Sequence, residues 1–269
     1  MPVQLKARPT LSQHIQQKGR SLVGMWVCST SPLVAELCAS SGFDYVLIDA
    51  EHSPNDLTSL LAQLQAVAPY PGSTIVRVPI NDERLIKQFL DVGVTNLLVP
   101  MVHTVEDARL AAKRVAYPPE GVRGVGSALA RASMWNRIPN YLKTARETIN
   151  LICQIESGRA VDAVEDILAV EGVDAIFVGP ADLAADLGMI GQAEDEAVVS
   201  RVLHCIEAAK SVGKPVGTNA FNPQMARKYL DAGADFVLVE SDVTILARGA
   251  ERVADSFLGS TSDYRPAGY

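Results

Sequence analysis

The segment LIDAEHSPND, residues 47–56, ends an apolar run on Asp49 and follows it at once with Glu51, His52 and Asp56. A strand buried up to that point delivers carboxylates and an imidazole to its carboxyl end. A carboxylate beside a histidine fixes the imidazole tautomer and raises its basicity, as a general base requires; a hydrogen-bonded structural histidine is the plainer alternative for His52. Glu51 and Asp49 are expected to orient that imidazole. Arg77 interrupts a second apolar run, TIVRVP. An arginine there is costly unless paired. It reads either as a buried ion pair with Asp49 or Glu51, or as a fixed cation facing developing oxyanion charge. In the run QIES, Gln154 and Glu156 stand two apart and so share one face of a strand. Asp182 follows Gly179-Pro180-Ala181. Two converging carboxylates, with too few Cys and His for a soft site, suit a hard divalent cation such as Mg²⁺ or Mn²⁺. The competing reading has Glu156 capping or salt-bridging locally and Asp182 simply opening a helix. Trp26, at the end of another apolar run, joins this set. His14 and His204 lie in helical stretches, and His103 is a reserve.

These residues need elements to position them. Eight short apolar segments recur, at 22–27, 44–49, 74–78, 95–99, 150–155, 173–178, 214–218 and 235–239. Amphipathic stretches lie between them, including 57–67, 82–90, 104–115, 160–169, 196–211 and 223–231. Glycine punctuates the helix-to-strand turns in SGFDYV, DVGVTN, VEGVDA, SVGKPV and DAGADF, as a helix C-cap does. Near-continuous apolar strands alternating with helices indicate a parallel sheet. The count and length predict closure into one (β/α)8 TIM barrel over 1–269, with 257–269 as a surface tail. An open doubly wound sheet lacks the G-x-G-x-x-G turn that would support it. In a barrel the reactive groups gather at the carboxyl ends of the strands, where Trp26, Asp49, Glu51, His52, Arg77, Gln154, Glu156 and Asp182 fall. The excursion 116–149 is too long for a plain connection, and long ordered loops are often functional. Its Arg123 reads either as a contact for a distal carboxylate or as surface packing.

Composition and absences narrow the chemistry. The formal net charge of −7 over 269 residues disfavours a nucleic-acid partner. No apolar run approaches the roughly 18 residues of a membrane span, and MPVQLKARPT has no secretory apolar core. Cys28, Cys38, Cys153 and Cys205 lack metal-ligand spacing and are expected as reduced core thiols of a cytoplasmic protein. A Schiff-base mechanism needs a lysine projecting from a strand. Only Lys214 touches one, at the wrong end. The loops after strands 7 and 8, TNAFNPQ and ESDVTIL, have no glycine for a phosphate nest, so no phosphorylated substrate is expected there.

Five long segments, LIDAEHSPND, LDVGVTNLLVPMV, YPPEGVRGVGSALARASMWNRIPNY, QIESGRA and VEGVDAIFVGPADLAADLG, closely resemble the HpcH/HpaI family of metal-dependent class II pyruvate aldolases. The similarity runs in register from about residue 20 to 255. It implies reversible cleavage of a 4-hydroxy-2-oxo acid to pyruvate, or a related 2-oxo acid, and an aldehyde through a metal-stabilised enolate. By the resemblance, Glu156 and Asp182 ligate the divalent metal (Mg²⁺, Mn²⁺ or Co²⁺), Gln154 and Asp182 meet the oxo acid beside Trp26, and Ala181 offers a backbone contact to the substrate carboxylate. His52 is the base and Arg77 stabilises the enolate. Asp91 matches the acid that raises the basicity of the histidine, from a neighbouring subunit. Asn219 falls where the aldehyde is expected. The family also implies a hexamer, a trimer of dimers that exchange a final helix, here about 244–256. Oxaloacetate decarboxylation at the same site and a non-catalytic barrel that binds a 2-oxo acid are the alternatives.

Overall fold

The computed structural model describes residues 3–259. Eight strands form a closed, wholly parallel barrel in sequence order: β1 (Leu22–Val27), β2 (Tyr45–Asp49), β3 (Ser73–Arg77), β4 (Asn96–Val99), β5 (Asn150–Ile155), β6 (Ala175–Val178), β7 (Val216–Asn219) and β8 (Phe236–Ser241). Twelve α-helices are found among the described residues. The first five are α1 (Leu11–Lys18), α2 (Pro32–Ser40), α3 (Leu57–Ala66), α4 (Glu83–Asp91) and α5 (Val105–Val115). Next come α6 (Tyr141–Thr144), α7 (Gly158–Asp162), α8 (Val164–Leu168) and α9 (Pro180–Asp186). The last three are α10 (Glu196–Ser211), α11 (Pro223–Asp231) and α12 (Asp242–Leu258).

Each apolar segment read from the sequence becomes a strand. The five punctuating glycines, at 42, 93, 172, 213 and 233, all hold positive φ of 69° to 102°, the left-handed conformation that releases a helix into the next strand. Several strand boundaries shift by one or two residues, and two differences matter more. The stretch 160–169 is two short helices broken at Ala163. Strand β7 starts at Val216, so Lys214 precedes it; its ammonium donates to Leu168 O at 2.6 Å and Val173 O at 2.7 Å, at the amino end of the barrel.

Strand side chains alternate between two cores. One set, including Trp26, Leu47, Ile152 and Phe177, fills the barrel interior; the other, including Val46, Val76, Leu97 and Ile176, packs under the helices. The interior is tight. A Cβ on Gly217 would fall 2.2 Å from the Phe236 ring, so this wall has no side chain where the aromatic lies. Helix α1 closes the amino end, held by Leu11 N–H to Asn96 Oδ1 (2.6 Å) and Ser12 N–H to Asn150 Oδ1 (3.1 Å).

The excursion 116–149 joins the end of α5 to the start of β5, so it belongs to the amino-terminal face. Within one chain it lies at the end opposite the strand tips. Arg123 is fully buried, stacked 4.6 Å over the Tyr117 ring and bonded to Asp91 Oδ1 at 2.7 Å. It is therefore neither surface packing nor a contact in its own chain's mouth. The final helix, α12, runs through Leu258, so the first two residues read as tail are helical; positions 260–269 lie outside the described residues. Only Asp242 of α12 is buried, while Leu246, Val253 and Phe257 are 69%, 61% and 84% exposed. Cys38, Cys153 and Cys205 are buried free thiols, with Cys28 half-buried. No described helix is long and apolar enough to cross a membrane.

Candidate active site

The mouth is built where β2, β3 and β5 end. Asp49 and Arg77 are register partners across β2 and β3, which places a carboxylate beside a guanidinium before any loop begins. Arg77 Nε donates to Asp49 Oδ1 at 2.8 Å. Its Nη1 stands 3.0 Å from Glu51 Oε2, a charge contact without hydrogen-bond angles. The guanidinium also lies over the Trp26 ring, 4.4 Å from its centroid, and Trp26 meets Phe177 edge-on at 6.2 Å. Burial pulls the Arg77 pKa down, but the Asp49 bond and the charges of Asp49, Glu51 and Glu156 outweigh it and the net shift is upward. The cation is thus fixed by two acids and an aromatic floor, the ion-pair reading made specific.

Asp49 also shapes the turn after its own strand. Its carboxylate accepts from Glu51 N–H (3.0 Å) and His52 N–H (3.2 Å). The turn aims His52 outward: its side chain is 63% exposed, with Nε2 3.7 Å from Glu51 Oε2. Asp56, the last acid of the opening segment, is the N-cap of α3 and accepts from Ser59 N–H at 2.7 Å, so it has no part in the mouth.

Across the opening, Glu156 is buried. Its Oε1 accepts from the Met101 N–H at 2.5 Å, and its Oε2 accepts from the Gln154 amide. Gln154 shares the inward face, as alternation required, and its Oε1 is buried without a partner. A Cβ on Gly179 would sit 3.1 Å from both Gln154 Nε2 and Glu156 Oε2, so glycine is what lets β6 pass this close. Pro180 then opens α9, and no side chain caps it. The first bond into the helix is Leu183 N–H to Gly179 O at 3.1 Å, which leaves the amides of Ala181 and Asp182 open beside an exposed Asp182 side chain.

The electrostatics of the mouth are unbalanced. Burial pushes the Glu51 carboxyl up to about 7, with Arg77 opposing and the charges of Asp49 and Asp182 adding to the rise. Glu156 is also pushed to about 7, first by burial, with Asp182 and Glu51 contributing against the Met101 bond. Three carboxylates therefore sense one another at an opening whose arginine is already engaged.

The geometry brings together Trp26, Asp49, Glu51, Arg77, Gln154, Glu156 and Asp182, with His52 at the rim. It does not bring Asp91, which ends α4 at the opposite face. His103 turns its Nδ1 to Ser157 Oγ, 2.8 Å away, as a support for the residue after Glu156. His14 bonds Ser73 Oγ at 2.7 Å on the far face, and His204 sits 3.6 Å from Glu165 on the outer helices. Sequence reasoning missed Met101, whose backbone amide at φ 54° holds Glu156; a main-chain donor leaves no mark in residue type.

A closed parallel barrel with acids, an amide and one arginine at its carboxyl-terminal rim is an enzyme architecture of the (β/α)8 class. The model of the HpcH/HpaI aldolase/citrate lyase family matches residues 22–249, and the chain belongs to that family. It is a carbon–carbon lyase of the aldolase type. It is 47% identical over 259 residues to a hydroxypyruvate/pyruvate aldolase of Deinococcus radiodurans, covering 96% of this chain and 94% of that one. It is also 47% identical over 251 residues to a 4-hydroxy-2-oxo-heptane-1,7-dioate aldolase of Escherichia coli, covering 93% and 96%. Among solved structures, a family protein from Burkholderia cenocepacia superposes with a TM-score of 0.87 at 37% identity, covering 92% of this chain and 98% of that one.

Proposed function

We propose that the protein cleaves 4-hydroxy-2-oxo acids reversibly to pyruvate, or a related 2-oxo acid, and an aldehyde, with the mouth described above as its active site and a divalent cation as its cofactor. The observation that carries the reading is the accumulation of negative charge at Glu51, Glu156 and Asp182, two of them pushed to about 7, around a buried Gln154 oxygen with no partner. That donor set is hard and anionic, and it fits Mg²⁺, Mn²⁺ or Co²⁺. Among the described residues no three or more His, Cys, Asp or Glu side chains converge as a closed cage. A cation held by one or two carboxylates, with substrate and water completing its shell, needs none. Glu156 and Asp182 would hold it, and when bound it supplies electrophilic polarisation of the 2-oxo group.

The chain's own groups do the rest. The open Ala181 and Asp182 amides at the start of α9 receive the substrate carboxylate, and Gln154 contacts the oxo acid. His52 accepts the C4 hydroxyl proton. The C3–C4 bond then breaks, its electron pair passes into the enolate, and the aldehyde leaves. Arg77, held rigid by Asp49, Glu51 and Trp26, faces the enolate oxygen with a charge that needs no reorganisation. Protonation at C3 completes pyruvate. Asp91 lies at the end of its own chain away from His52, so its action on a histidine requires another subunit. The exposed apolar stripe of α12 supports an exchanged helix and a hexamer built from dimers. The site we expect to work in the cytoplasm.

The test is exchange of the pyruvate methyl protons with solvent. His52→Ala is expected to lose exchange while retaining Mg²⁺ binding; undiminished exchange removes His52 from the base role. Mixing inactive His52→Ala with inactive Asp91→Asn subunits is expected to restore activity, because some mouths then hold both native residues. Parallel turnover of oxaloacetate ranks decarboxylation against aldol cleavage.

A further inference from the structure

The opposite end of the barrel carries a second concavity. A cavity of about 630 Å³ lies beside α1, between the N-terminal segment, the first residues of β3 and β4, and the excursion 116–149. Lys6, Arg8, Lys18 and Arg131 line it together with His14, and among the described residues no Asp or Glu does. Lys18 is offset by Asp44, 3.4 Å away and outside the lining. Lys6, Arg8 and Arg131 have no carboxylate within ion-pair distance among the described residues. Arg8 donates to Ala68 O, and Arg131 Nη1 to Val92 O at 3.1 Å, so their charges are met by carbonyls alone. The sequence shows the same bias. In a chain of net charge −7, residues 1–35 hold Lys6, Arg8, Lys18 and Arg20, and the first acid is Glu36.

The rest of the wall mixes apolar side chains with the neutral polar groups of Gln17, Ser73, Thr74, Thr95, Asn96 and Thr148. Leu64, Val67 and Val94 are buried core residues that reach the cavity, and Ile138 and the buried Tyr141 close it from the excursion. Gly93 leaves room for Arg131: a Cβ there would fall 2.5 Å from its Nη1. Burial pushes the Arg131 pKa down, and the neighbouring Arg8 charge adds to that, the mark of like charges held together without an anion. Small-molecule sites have this composition, mostly apolar with a few placed polar groups, and paired guanidiniums suit a planar carboxylate.

We propose that this cavity is a second ligand site, which takes a small organic anion with an aromatic or branched apolar body, its carboxylate received by Arg8 and Arg131 and its body by Leu64, Val67, Val94 and Ile138. Within one chain the site is separate from the mouth in position and in charge. Calorimetric titration of the full-length protein with phenylacetate tests it. One phenylacetate is expected to bind per chain, and Arg8→Ala, a change at an exposed side chain, weakens Kd by about tenfold or more, since one charge-assisted contact is worth roughly 1.4 kcal/mol or above. Glu156→Gln, at the mouth, leaves this binding unchanged. Benzyl alcohol, which lacks the charge, does not bind, and inorganic phosphate, which lacks the body, binds at least about tenfold more weakly. Absence of phenylacetate binding overturns the proposal, as does binding indifferent to Arg8→Ala or abolished by Glu156→Gln. Phosphate binding as tight as phenylacetate overturns the amphipathic ligand class.

Discussion

The two ends of the barrel are electrostatic opposites. At the carboxyl-terminal mouth, Glu51, Glu156 and Asp182 crowd around an arginine that is already engaged, and burial drives two of the acids to about 7. At the amino-terminal face, cations gather on a wall that has no acid among the described residues, and polar side chains such as Asn96 and Asn150 pin α1. The difference separates two uses of a buried polar group. At the mouth, groups stay under-satisfied and await a ligand. In the seal under α1, Asn96 is matched at both ends of its amide, accepting from Leu11 N–H and donating to Thr74 O. Asn150 accepts from Ser12 N–H and keeps one buried nitrogen unpaired, so the polar groups there serve mainly to close the chain.

The strongest challenge to this contrast is Glu156→Gln. Turnover is expected to fall by about 10³-fold or more, because the proposed ligand for the cation is lost where charge must develop. The protein should stay folded, since the change removes a buried charge that carries a penalty. Activity near the native level would place the chemistry elsewhere. Next comes Arg77→Ala, expected to cost about 10²–10³ in kcat. It also strips Asp49 of its buried partner, for roughly 3–5 kcal/mol of stability. Denaturant unfolding alongside kinetics separates the two effects.

The third prediction concerns pH. Glu51 and Glu156 have folded-state values raised from 4.5 to about 7, so between those limits the native state holds protons that the unfolded chain has released. In metal-free protein, this contribution to stability is present at the acid end, falls as pH rises from 4.5 towards 7, and is lost above 7. A cation competes with those protons. Mg²⁺ affinity is therefore expected to weaken by about tenfold between pH 8 and 6, read by calorimetry, and a flat profile would break the charge argument. The smallest effect belongs to the sealed end. Asn96→Ala leaves the Leu11 amide without its acceptor, at a cost of about 1–3 kcal/mol, and lowers Tm while kcat/KM at the mouth holds.

Much of this was legible in the sequence. Period and glycine punctuation placed all eight strands, because each repeat must bury an apolar strand and then leave a helix through a left-handed residue. The two-residue spacing of Gln154 and Glu156 put both on one face, and the cost of burying Arg77 announced its partners. What stayed hidden depends on contacts distant in sequence or on main-chain groups. The Met101 amide under Glu156 has no side-chain signature. Arg123 in the excursion reads either as a contact for a distal carboxylate or as surface packing, yet connection order puts the excursion at the far end, where Arg123 is buried and grips Asp91. The break at Ala163 lies inside a stretch whose periodicity reads as one continuous helix.

Asp242 accepts from the backbone amides of Cys28 (2.8 Å) and Ser29 (3.1 Å) at the point where α12 departs. One carboxylate thus laces the last arm of the chain to the loop that follows Trp26, on whose ring the Arg77 guanidinium rests. Trimming the arm beyond that knot removes the apolar stripe proposed to join subunits but leaves the rim laced. Cutting before it unthreads the rim, so a shortened chain that begins its deletion at 242 loses the support beneath its own cation as well as its tail.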